Sequence, residues 1–408
     1  MTFEEVTLDT HVYGGEALGR LADGRAVFVP YALPGEMARI RLTDDKPRYA
    51  RGKLIEIVTP SPERIAPRCP HFTQCGGCHY QHIPYETQLQ IKTDVLRDQL
   101  ERIGKLNNPP VRPIVPSQPW NYRNHVQFHI TPEGELGYQA GGSNTTLPIR
   151  ECHLPTEAIN QVWPLLDMEA IPSLERVSLR GGMNDDLMLI LESNEPEPVE
   201  LEIDLPLSVA YLGPGGALVL AGDDHVIIEI QQRLFRVSAG SFFQVNTPMA
   251  EQMVAHVLEN LPLTPQTTLV DAYCGVGLFS AFLAPHVGRL ISIEDSPDAC
   301  EDFEVNLDEF DHVELYEAPV EDVLPTLDAH PQIIVVDPPR SGLARPALDA
   351  ILSLGPDVLA YISCDPATLA RDGKRLSNGG YQLQQITPFD LFPQTYHIES
   401  ISFWTAAK

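Results

Sequence analysis

Cys364 follows the apolar run 358–362 and precedes Asp365-Pro366. The run reads as a parallel strand and Asp365-Pro366 as the start of a helix. That puts the thiol at the C-terminal mouth of a sheet, where open α/β folds place their chemistry. The unpaired N–H groups and dipole of the following helix are expected to lower its pKa, which is what a covalent nucleophile requires. The bland reading of a lone cysteine is a small buried hydrophobe, and Cys300, on a helical stretch, is read that way. Twenty-seven positions before Cys364, Asp337-Pro338-Pro339-Arg340 ends a second apolar run in polar groups.

A third run ends in Asp271-Ala272-Tyr273-Cys274-Gly275-Val276-Gly277. Gly275 and Gly277 are spaced for a tight turn that lets backbone approach a ligand. Glu294 ends the next strand, about 20 residues on, where an acidic side chain takes ribose hydroxyls. The third glycine of a dinucleotide fingerprint is missing, because Ser280 stands near its place. The loop therefore suits a mononucleoside such as S-adenosylmethionine better than NAD. Tight strand–helix packing is the competing use of these glycines.

Cys69, Cys75 and Cys78 lie within ten residues, Gly76-Gly77 lets the chain wrap between them, and Cys152 is a distant fourth thiol. Four thiolates hold either a tetrahedral zinc or an iron–sulfur cluster. Seven cysteines in all, an odd number, do not read as a disulfide framework. His71, His79 and His82 are taken as exposed loop histidines rather than ligands.

The elements that must carry these groups divide the chain in three. Short β-rich runs at 5–12, 26–29, 37–42 and 52–58 predict a small barrel over 1–58. Prolines 60, 62 and 67 mark a linker, and apolar residues three to four apart predict a helix over 85–104, one that packs on the catalytic domain. Hairpins at 126–139 and 174–191 give an antiparallel α+β central domain, 59–235. From 236 to 408 strands and helices alternate as in a doubly wound α/β sheet, and Thr247-Pro248 reads as a helix N-cap followed by proline. No apolar run reaches the roughly 18 residues of a membrane helix, and the N-terminus lacks an export signal. A cytoplasmic protein with no membrane contact is expected.

The net charge of −28 is unevenly spread. Residues 1–130 carry 16 basic and 14 acidic side chains, which leaves 12 and 42 for the rest. The front can therefore grip phosphates, through Arg39, Arg41, Lys46, Arg48, Arg51 and Lys53, while the acidic back half is expected to stay largely off nucleic acid.

Taken together, Ser363-Cys364-Asp365-Pro366-Ala367-Thr368-Leu369-Ala370-Arg371-Asp372, Asp337-Pro338-Pro339-Arg340, the loop 271–277, Phe242-Phe243-Gln244-Val245-Asn246 and His397-Ile398-Glu399-Ser400 resemble the RNA uracil-C5 methyltransferases. The resemblance spans essentially the whole chain. It implies a class I methyltransferase sheet, an N-terminal TRAM (OB-like) barrel, and transfer of methyl from S-adenosylmethionine to C5 of a uridine. It implies Cys364 as the nucleophile adding to C6, Glu399 as the base for the C5 proton, and Gln244, Tyr273, Glu294 and Asp337 around the cofactor. Leu278 departs from the polar residue of a close relative. The cysteine spacing resembles that of members with a [4Fe–4S] cluster. The expected partner is structured RNA, 23S rRNA with tRNA as the alternative, met by a monomer. A cytosine-C5 enzyme would need a second cysteine beside Asp337, and a base-amino methyltransferase an aromatic residue where Arg340 stands. A non-catalytic RNA-binding protein would need neither Cys364 nor Glu399.

Overall fold

The computed structural model describes residues 3–168, 171, 173–198, 202 and 204–406. Five strands, β1 (Phe3–Val12), β2 (Glu16–Arg20), β3 (Ala26–Pro30), β4 (Met37–Asp45) and β5 (Tyr49–Thr59), close into a barrel in the order β1-β2-β3-β5-β4. Alternating Val6, Leu8, Val27, Val29, Ala38 and Ile40 fill its interior. Strand β2 was not among the expected runs, because Gly19 and Arg20 interrupt its apolar pattern.

Helix α1 (Tyr85–Arg102) matches the predicted periodicity, and its Ile91, Val95, Leu96 and Leu100 enter the core of the C-terminal sheet. A buried ion pair fixes it there: Lys92 Nζ lies 2.6 Å from Asp390 Oδ1 and donates to the Phe392 carbonyl at 2.9 Å.

The central sheet is built from β6 (His125–Ile130), β7 (Leu136–Gln139), β8 (Thr146–Pro148), β9 (Leu174–Gly181), β10 (Leu187–Ser193), β11 (Ser208–Gly213) and β12 (Gly216–Ala221). Their order is β12-β11-β10-β9-β6-β7-β8, and α2 (Glu157–Val162) covers the sheet with Ile159. The expected antiparallel pairing holds except between β10 and β11, which run parallel. The hairpin β13 (His225–Ile230) and β14 (Arg233–Ser238) then packs with α3 (Thr247–Asn260). The N-cap of α3 is Asn246, not Thr247: the Asn246 side chain accepts from Met249 N, and its amide is anchored on Ser117 and Leu391.

Strand and helix then alternate: β15 (Thr268–Ala272), α4 (Leu278–Leu283), β16 (Arg289–Glu294), α5 (Pro297–Asn306), β17 (Val313–Glu317), α6 (Val320–Val323), β18 (Ile333–Val336), α7 (Arg345–Leu354), β19 (Val358–Ser363) and α8 (Pro366–Asn378). Strands β20 (Tyr381–Phe389) and β21 (Glu399–Ala406) finish the chain. The sheet order is β17-β16-β15-β18-β19-β21-β20, parallel except at β21. The chain leaves β15 for β16 on one side and returns to β18 on the other, and such a reversal opens a crevice at the strands' C-terminal ends. Residues such as Leu269, Leu290 and Phe303 pack on one face of the sheet, and Val270, Ile334 and Leu369 on the other. No described helix is long and apolar enough to cross a membrane.

Candidate active site

A cleft of about 1170 Å³ opens at this crevice. Cys364 enters it from the end of β19, Asp337 from the end of β18, Tyr273 and Gly275 from the loop after β15, and Glu294 from the end of β16. Glu399 arrives by a different route. Because β21 runs antiparallel to β19 with Ser400 opposite Ser363, its first residue falls beside Cys364. Both line the cleft, as does Gln244 from the segment before α3.

Gly277 is the exception among these residues. It does not line the cleft but stands at the N-cap of α4 with φ +90°, where a Cβ would lie 2.4 Å from Leu307 Cδ1 and 2.9 Å from Phe303 Cδ2. Its role is close packing on α5, while Gly275 faces the cleft. Ser280, where a third glycine was sought, is buried and donates to Asp271 Oδ2 at 2.6 Å. Leu278 lines the cleft. Glu294 is oriented by the turn itself, accepting from Gly275 N at 2.8 Å and from Asp295 N and Ser296 N at 3.0 Å each.

The thiol departs from expectation. Burial pushes Cys364 up to about 12, the carboxylates of Glu399 and Asp337 add to the rise, and Arg340 opposes it. The first N–H groups of α8 are not free for the thiol, since Asp365 accepts from Ala367 and Thr368 at 2.9 Å each. Burial also raises Glu399 well above the usual carboxylate range, Asp337 adds to this, and Arg340 offsets part of it. Asp337 is raised as well, by burial and by Asp271. Without a bound substrate the site is therefore a neutral thiol among carboxyls that resist full ionisation.

Phe242, which sequence reading did not separate from its neighbour, lines the cleft 69% exposed, while Phe243 is buried. An aromatic pair with one ring in the core leaves the other for solvent or a ligand. The acidic half also contributes cations: Arg340, Arg345, Arg371 and Arg375 all line the cleft. They are four of its 12 basic residues, and three are paired: Arg345 and Arg375 with Asp349, and Arg371 with Asp372. On the barrel, Arg39 is bridged to Glu5 and Glu56, Arg51 to Glu16 and Lys46 to Asp44.

Cys69, Cys75, Cys78 and Cys152 line one separate cavity with Tyr138 and Arg123, and Arg123 also lines the cleft. Burial raises Cys78 to about 12 and Cys152 to about 11, with the other thiols of the group contributing. Among the described residues no group of three or more His, Cys, Asp or Glu is placed to hold a metal ion. The histidines are not exposed loop residues. His82 is buried, His79 packs edge-on against Tyr396 at 4.6 Å, and His71 Nε2 accepts from Arg150 N.

Comparison with known proteins agrees with this architecture. Residues 2–55 match the TRAM domain, and residues 222–324 and 323–406 match the family tRNA (Uracil-5-)-methyltransferase. An uncharacterized RNA methyltransferase of Halalkalibacterium halodurans is 33% identical over 98% of this chain and 96% of its own. One from Aquifex aeolicus is 35% identical over 98% and 97%. Among solved structures, the tRNA (uracil-54, C5)-methyltransferase of Pyrococcus abyssi, in complex with S-adenosyl-L-homocysteine, aligns with TM-score 0.73. It covers 98% of this chain and 99% of that one at 24% identity, a likeness of fold.

Proposed function

The chain belongs to the TRAM-domain, S-adenosylmethionine-dependent RNA uracil-C5 methyltransferases, and on that premise we propose that it makes 5-methyluridine through a covalent Cys364 adduct. The observation that carries the proposal is the β19–β21 register, which brings a thiol and a carboxyl from distant segments to one cleft. C5 of uracil is a weak nucleophile. Addition of the Cys364 thiolate, formed when the thiol gives up its proton, to C6 breaks the 5,6 double bond and makes C5 an enolate carbon. S-adenosylmethionine, bound as a substrate, would supply the electrophilic methyl that C5 takes, the methyl–sulfonium bond breaking to leave S-adenosylhomocysteine. Glu399 then removes the C5 proton, the 5,6 double bond re-forms, and Cys364 leaves as the thiolate. Arg340 is the cation of this chain that offsets the acidic surroundings of Cys364.

Gln244, Tyr273, Gly275, Glu294 and Asp337 surround the cofactor in this reading, with Glu294 facing the ribose. Phe242 offers an outward ring on which a base displaced from RNA can stack. Residues 1–58 grip RNA, 59–235 form a scaffold, and 236–408 carry the chemistry of a cytoplasmic monomer. Cys69, Cys75, Cys78 and Cys152 would hold a [4Fe–4S] cluster. Four soft donors lining one cavity support it. Such a core would supply positive charge that favours the thiolate form of these buried cysteines.

The RNA is taken to be tRNA, which the matching family and the similar P. abyssi enzyme both name. The cysteine set supports 23S rRNA as the second reading. Mapping 5-methyluridine in cells lacking the gene distinguishes them. A missing tRNA methyl supports the first reading, a missing rRNA methyl the second, and an unchanged RNA complement overturns the proposal.

A further inference from the structure

The barrel touches the chemistry directly. Tyr13, in the turn between β1 and β2, donates its hydroxyl to Asp365 Oδ2 at 2.5 Å, across 352 positions of sequence. Asp365 follows Cys364 and is the N-cap of α8. Its Oδ1 accepts from Ala367 N and Thr368 N, its own N–H donates to Ser363 Oγ, and Ser363 Oγ bonds its carbonyl in return. The residues either side of the thiol are thus tied together, and the one carboxylate oxygen not used by the helix is held by the barrel.

The same turn also braces the segment leading to the other reacting group. The Tyr13 ring meets Tyr396 edge-on at 5.9 Å, and Tyr396 packs on His397, two residues before Glu399. Gly15 has φ +81°, and a Cβ there would lie 3.1 Å from Tyr396 Cδ1. The backbone of the turn therefore seats closely on the C-terminal segment, and no side chain separates them. His397 is in turn within 3.3 Å of Arg340.

We infer that Tyr13 is a positioning residue for Cys364, so that the barrel completes the active site as well as binding RNA. The inference rests on the reading of Cys364 as nucleophile. A hydroxyl donating to Asp365 both fixes the carboxylate that frames the thiol and draws part of its negative charge away from the sulfur. Burial and Asp365 hold the Tyr13 phenol well above its ordinary pKa, so it remains a donor at any working pH.

Tyr13→Phe keeps the ring against Tyr396 and deletes only the hydroxyl. With full-length protein and substrate RNA, single-turnover methyl transfer should fall roughly tenfold or more, while RNA and cofactor affinities stay as in the parent. Alkylation of the Cys364 peptide by iodoacetamide, followed by mass spectrometry, should need higher pH, because an unmasked Asp365 carboxylate disfavours the thiolate. A purely structural role would not move that profile. A transfer rate within about twofold of the parent, or a loss confined to RNA affinity, overturns the inference. Asp365→Asn gives a second route should Tyr13→Phe not fold. If both act through one bond, the double variant loses no more activity than the worse single one. Normal turnover by Cys364→Ala would instead sink the nucleophile reading. An inactive Cys364→Ala beside a fully active Tyr13→Phe would sink this inference alone.

Discussion

Cys364 and Glu399 serve different moments of the proposed reaction, so their variants should fail in different ways. Cys364→Ala cannot add to C6 and should bind RNA without forming any covalent product. Glu399→Gln can add and accept methyl but lacks the group that takes the C5 proton. It should accumulate as a methylated-RNA adduct that survives denaturing electrophoresis. Free turnover by Glu399→Gln would reduce that residue to a positioning role. The buried thiol also fixes a pH dependence. The reactive species is the thiolate, and burial holds Cys364 up to about 12. Alkylation of Cys364 in ligand-free protein should therefore climb without a plateau between about pH 7 and about pH 10. A plateau near neutrality would mean that α8 lowers the thiol's pKa after all. The residue types were legible in the sequence, but the sign of this shift was not. It depends first on burial of the thiol, and then on two carboxyls arriving from β21 and β18.

At the scale of elements, the attachment of α1 rests on Lys92 and Asp390, both almost fully buried. Lys92→Met leaves an unpaired buried carboxylate and should destabilise the fold by about 3–5 kcal/mol. The double variant Lys92→Met/Asp390→Leu should recover most of that in denaturant melts, and failure to recover would assign the loss to packing. The junction of α4 and α5 is equally exacting. Gly277→Ala places a methyl where Leu307 and Phe303 already sit, at a positive φ, and should lower stability by about 1–3 kcal/mol. Helices α7 and α8 carry Arg345 and Arg375 to the cleft. If these meet phosphates, replacing both with alanine should flatten the salt dependence of RNA binding by about two slope units, about one for each phosphate no longer neutralised. An unchanged slope would assign phosphate binding to the barrel instead.

The whole molecule joins a barrel, a central sheet and a catalytic sheet around two cavities that share Arg123 as a wall. If the cysteine cavity holds its proposed cluster, anaerobically purified protein should be brown, with about four irons and four labile sulfides per chain. Cys75→Ser should lose the colour and melt earlier. Stoichiometric zinc without sulfide would establish a different centre.

Local pattern was enough for the order of elements. Short β-rich runs marked most barrel strands, residues three to four apart marked α1, and β/α alternation marked the doubly wound sheet, because each is read from local pattern along the chain. Cys364, Asp337, Tyr273 and Glu294 were legible for the same reason, since a polar group at or directly after the end of an apolar strand lies at a sheet's mouth, whereas Gln244 and Glu399 came from the family resemblance alone. Non-local geometry decided the rest. An antiparallel register set Glu399 beside Cys364, and the crowding of Leu307 and Phe303 gave Gly277 to packing rather than to the ligand. The fold also collected scattered arginines of an acidic half at one cleft and laid a barrel tyrosine on Asp365. Burial and charge at a point are sums over neighbours hundreds of positions apart, and a linear pattern does not carry that sum.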